Sequence, residues 1–171
     1  MKKLLLLACL LFSCTKPKLE IVKEIEIPTP IVDENKECQE ITIDGKNVKV
    51  VLSNAWEALA PTTGSIDIAA MHNQSTALLV VSTQEFTGTY DEYVLHSLRV
   101  LRNKEISIDD FTSFKIDETN FLITDTTKDE LHVWHFFGVN DKLGYTISCG
   151  GKNNSMINDV CHQAVGQIKF K

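Results

Sequence analysis

The sequence predicts an α+β fold: an antiparallel β-sheet of about six to eight strands, ending in a meander, with two amphipathic helices covering one face. Three observations carry that expectation. Short apolar segments with strand-like alternation fill residues 41–81. A single well-capped amphipathic helix interrupts the strands. A later set of strands then recurs about every ten residues before a closing helix.

The ordered part is expected to open near Cys38. Ile41 and Ile43 alternate with polar residues, Asp44-Gly45-Lys46-Asn47 supplies turn chemistry, and Val48, Val50 and Leu52 resume the alternation, the pattern of a β-hairpin. Ser53–Pro61 reads as a short, one-turn helical connection that holds Trp56. Two strands follow. In the first, Ile66, Ile68 and Ala70 point one way. The second, Ala77-Leu78-Leu79-Val80-Val81, is apolar on both sides and is the candidate central strand.

Thr89-Tyr90-Asp91-Glu92 matches the capping box, with Thr89 as N-cap and Glu92 three residues on. Tyr90, Val94, Ser97, Leu98 and Leu101 then form a helical stripe. Arg99 and Arg102 lie near the C-terminal end, where the helix dipole favours cations. The spacing therefore predicts a helix over Tyr90–Arg102. Beyond it, Phe111–Ile116, Asn120–Thr124, Leu131–Phe137 and Leu143–Cys149 are divided by polar turns at 117–119, 126–129 and 138–141, an antiparallel meander. Gly150–Asn154 breaks that run. Ser155 can cap a last helix whose stripe is Ile157, Val160, Cys161, Ala164 and Ile168.

This order of elements, with Trp56 after the first hairpin and the ending Tyr145-Thr146-Ile147-Ser148-Cys149, closing helix, Gln167-Ile168-Lys169-Phe170, resembles the PsbP-like α/β sandwich, shared by the DcrB-like bacterial lipoproteins. The likeness covers about Glu40–Lys171. It departs from the usual ending at Gln167, where a Ser is common. The resemblance implies a domain that binds partners or supports assemblies, and it carries over no catalytic residues.

Ahead of the domain, Thr15–Glu37 reads as a tether. Pro17, Pro28 and Pro30 favour extended backbone and exclude a helix, although Leu19–Ile27 carries some strand-like alternation. Met1–Cys14 begins with Lys2 and Lys3, continues as the apolar run Leu4–Phe12 and ends at Ser13-Cys14. That is the charged n-region and short h-region of a secretory signal, well under the ~20 apolar residues of a spanning helix. Leu11-Phe12-Ser13-Cys14 resembles the lipobox of bacterial lipoproteins, with Phe12 bulkier than is usual. The resemblance implies that Cys14 is diacylated on sulfur, becomes the first residue of the mature protein and anchors it to a membrane. Leu6-Leu7-Ala8-Cys9 also fits the box but would leave an h-region of only about five residues, so Cys14 is preferred. An ordinary signal peptide with an incidental Cys is the alternative. The expected organisation is thus a signal at 1–13, a lipidated tether at 14–37 and one globular domain at 38–171. Thr15 follows the Cys where the inner-membrane retention rule of enteric bacteria wants Asp, which implies the outer membrane, facing the periplasm.

The bulk numbers bound the function. Taking Lys2 and Lys3 from 17 basic residues leaves 15 against 23 acidic, a balance of −8. Such a surface is a poor match for nucleic acid and for a broad dock on anionic lipid. Attachment then falls to the acyl chains, at ~0.8 kcal/mol per buried CH₂.

Of five cysteines, Cys9 leaves with the signal and Cys14 is consumed by lipid. Cys149 shares a strand face with Tyr145 and Ile147, and Cys161 sits on the stripe of the last helix, so a Cys149–Cys161 disulfide is expected, two buried free thiols being the alternative. Cys38 is left free, paired with one of these, or cross-linking two copies.

Catalytic chemistry finds little purchase. His132 and His135 are three apart in a strand and face opposite ways, so they cannot share a metal. His72, His96 and His162 have no ligand cluster at metal spacing. Asp109-Asp110 and Asp125 fall in separate turns, and Gly150–Ser155 lacks the spacing of a nucleotide loop. No catalytic residue, cofactor or metal is therefore expected. The sequence reads as a lipid-anchored, non-enzymatic envelope protein whose domain meets a protein partner. The alternative is a small-molecule or glycan binding module, with Trp56 and Trp134 or Tyr145 lining a cleft. The anchor is directly testable: Cys14→Ala should accumulate as unprocessed, unacylated precursor, while Cys9→Ala should change little. Normal acylation of Cys14→Ala would remove the lipobox assignment.

Overall fold

The computed structural model describes residues 39–104, 106–152 and 156–171. The signal, the lipobox with Cys9 and Cys14, the tether and Cys38 lie outside the described residues. The first hairpin forms as its alternation requires: β1 (Glu40–Asp44) and β2 (Val48–Ser53) pair antiparallel, and Val48, Val50 and Leu52 are buried. The 53–61 stretch is not a helical turn. Trp56–Ala58 is a short strand, β3, paired with β4 (Ile66–His72), because Trp56 gains a buried place opposite His72 that a solvated turn would deny it. Strand β4 also departs from simple alternation. Its register against β5 (Leu78–Glu85) shifts between Ile66 and Ile68, so Ile66 pairs with Ser82 while Ile68 and Ala70 enter the core.

Helix α1 (Tyr90–Asn103) starts where the capping box places it. Thr89 Oγ1 accepts from Glu92 N–H at 3.3 Å, and Glu92 Oε2 accepts from Thr89 N–H at 2.8 Å. The meander follows as β6 (Ser107–Ile116), β7 (Thr119–Lys128), β8 (Leu131–Asn140) and β9 (Leu143–Lys152), each longer than the sequence suggests. The turns shrink accordingly to Asp117-Glu118, Asp129-Glu130 and Asp141-Lys142, all six residues at positive φ. Two central residues at positive φ define the type I′ turn, whose twist matches that of the strands it joins. Asp leads each pair, being among the side chains that best tolerate the left-handed region.

Helix α2 (Ile157–Gly166) has Met156, not Ser155, at its N-cap position; Ser155 lies outside the described residues. The chain then closes with β10 (Ile168–Phe170), which pairs with β2.

Ten strands thus form two antiparallel sheets among the described residues, ordered β1-β2-β10 and β3-β4-β5-β9-β8-β7-β6, where six to eight in one sheet were expected. The helices do not share a face. On one side of the large sheet, Ile68, Leu79, Val81, Phe136, Tyr145 and Ile147 pack with the small sheet and α2. On the other, Leu122 and Phe137 pack with Tyr93, Val94, Leu98 and Leu101 of α1. Sheet alternation forces this division, since β9 sends odd residues to the first core and even ones to the second. Gly144, an even position, lies directly under the Tyr93 ring, where any Cβ would collide.

Cys149 and Cys161 form the disulfide that ties β9 to α2, with Cα atoms 5.5 Å apart and both residues fully buried. A bridge closing so short a loop contributes up to about 3 kcal/mol in the chain-entropy description. Cys161→Ser should therefore lower the unfolding free energy by about 2–3 kcal/mol. Peptide mapping of unreduced protein should recover the linked pair; quantitative alkylation of both thiols in unreduced, unfolded protein would refute the bond.

Candidate functional site

Cross-strand partners in a sheet share a face, so the registers map the α1 side of the large sheet residue by residue. One row runs Glu57, Met71, Leu78, Gly150, Val133, Thr126 from β3 to β7. The next contains Ala69, Val80, Ser148, His135 and Thr124. Helix α1 covers the β8 and β6 side of this face, over Phe137 and Leu122. Over β4 and β5, no described element covers it. Met71 is 37 %, Leu78 43 % and Leu131, also on this side, 46 % exposed. Val80 and Val133 between them are half-buried. A strand that reads as apolar on both sides is thus buried on only one.

A hydrogen-bonded chain crosses this face beside the apolar shelf. The Thr126 hydroxyl donates to the Val133 carbonyl at 3.0 Å, which uses its only proton. It must then accept from His135 Nε2–H, 3.2 Å away. That leaves His135 Nδ1 to accept the Ser148 hydroxyl at 2.8 Å. The tautomer follows from the partners. Burial, with a smaller contribution from the Lys104 charge, pushes the His135 pKa down to about 4, so the ring is neutral near pH 7. Thr124, the cross-strand neighbour of His135, is fully buried and its hydroxyl has no partner among the described residues.

This is a hydroxyl–imidazole pair without a carboxylate. The imidazole–carboxylate contact lies elsewhere: His132 Nε2 meets Asp125 Oδ1 on the opposite face, where the Trp134 ring lies tilted against His132 with centroids 4.3 Å apart. Asp110 and Asp125, assigned above to separate turns, are in fact strand residues paired across β6 and β7. The two histidines of β8 do face opposite ways, and the sheet keeps the two halves of a catalytic set apart. A base with a pKa near 4 is also poorly matched to proton abstraction at neutral pH. Among the described residues no three His, Cys, Asp or Glu side chains gather as a metal site.

The remaining candidates are structural. Trp56, Trp134 and Tyr145 are all buried in the core. His72 Nδ1 accepts from Ser75 N–H at 3.1 Å and pairs with its hydroxyl at 2.9 Å, fixing the β4–β5 turn. His162 packs edge-on against Trp134, and burial lowers its pKa despite nearby Asp159. Gly150–Lys152 continue β9, and residues 153–155 lie outside the described residues. Sequence reading missed the shelf of Met71, Leu78 and Leu131. Its signal was present: a strand apolar on both sides, in a chain with one long helix to cover it.

No protein-family model matches this chain, and no curated protein matches it in sequence. Solved structures do. The solution structure of the cyanobacterial PsbP (CyanoP) from Synechocystis sp. PCC 6803 is similar over 81 % of this chain and 96 % of its own, with a TM-score of 0.60 at 8 % identity. A crystal structure from Bacteroides thetaiotaomicron is similar over 72 % of this chain but only 45 % of its own, with a TM-score of 0.50 at 9 % identity. At such identities the likeness shows the fold, which is PsbP-like.

The pH dependence of stability follows from His135. Its imidazole takes a proton near pH 6.5 when unfolded and only near pH 4 when folded. The unfolded state therefore binds more protons in that window. Stability from this group is complete above the unfolded value and falls as pH drops towards 4, by up to about 3 kcal/mol. Urea titrations between about pH 7 and pH 4 should show that decline. His135→Gln should reduce its slope without abolishing it, since burial lowers His72 and His162 too. An unchanged slope would contradict a buried neutral His135.

Proposed function

We propose that this chain is a lipid-anchored cell-envelope protein, held to the membrane through Cys14, whose domain is non-catalytic and binds a protein partner. The observation that carries the reading is the exposed shelf of Met71, Leu78 and Leu131 on the half-sheet beside α1. Large exposed apolar side chains that cluster on one face mark contact surfaces, whereas scattered ones need no explanation. The buried aromatic residues give a small-molecule or glycan cleft no comparable support. Separation of Ser148–His135 from Asp125–His132 through the sheet argues in the same direction against turnover.

The test uses photoreactive residues at Leu78, at Leu131 and, as a control, at Lys169 on the small sheet. Irradiation of intact membranes should yield one discrete protein adduct from the first two positions and not from the third. Equal labelling from all three would refute the surface. The purified chain should be silent on esterase, peptidase and glycosidase substrates. Activity abolished by Ser148→Ala would replace this reading with a hydrolase.

A further inference from the structure

We draw no further inference here: the strongest candidate, the apolar patch of Met71 and Leu78 on the half of the large sheet that α1 leaves open, carries none, because nothing among the described residues shows what covers it.

Discussion

Strand β9 is the element on which the rest of the molecule depends, because its alternation must serve two cores at once. Tyr145, Ile147 and Cys149 point into the core shared with α2 and the small sheet. Gly144, Thr146 and Ser148 point to the α1 side. Gly144 lets the Tyr93 ring lie close against the strand, and Tyr93 Oη pairs with Thr146 Oγ1 at 2.9 Å. A slip of one residue would exchange these sets, putting hydroxyls into the main core and Ile147 against α1. The disulfide to Cys161 secures that register from one side, and the Tyr93 contact secures it from the other.

Because the two faces are filled by different means, they are filled to different degrees. The α2 side receives a helix and three strands, and 22 of the described residues form one continuous buried core there. Among the described residues, the α1 side receives a single helix, which cannot span seven strands. At ~10–12 Å across, a helix shelters roughly two to three strands spaced ~4.8 Å apart. What is left over is the half-sheet with Met71 and Leu78 exposed. Among the described residues, the opening beside α1 thus follows from element count rather than from any local irregularity.

Much of this was legible in the sequence, and the failures have definable causes. The capping box and stripe located α1 because both are local rules with a mechanism. The meander was legible because its alternation is strong, yet its turns were placed too broadly. Thr126 and Thr127 read as turn residues, but their β-branched side chains suit a strand, and positive φ in Asp129-Glu130 needs no glycine. Trp56 was assigned to a helical connection because three strand residues are too few to show a period. The side on which each helix lies was not legible, since alternation says that two faces exist and not which element covers which. For the same reason the pairing of Ser148 with His135 was invisible. It depends on the β8–β9 register, which brings together residues thirteen apart in sequence.

The polar chain beside the shelf bears on what the open face can do. Burying a hydroxyl or an imidazole without a partner costs about 1–3 kcal/mol, which usually makes a polar surface a poor docking site. Here Ser148, His135 and Thr126 already satisfy one another, and the chain ends on the Val133 carbonyl. Covering them therefore removes few hydrogen bonds to water. The imidazole is already neutral near pH 7, so covering the face leaves no charge to desolvate at that point. The charged groups lie at the rim, in Lys128, Lys152, Glu57 and the Asp129-Glu130 turn, where they keep their hydration. Apolar centre, internally satisfied polar strip and charged rim give this half-sheet the layered order of a protein interface.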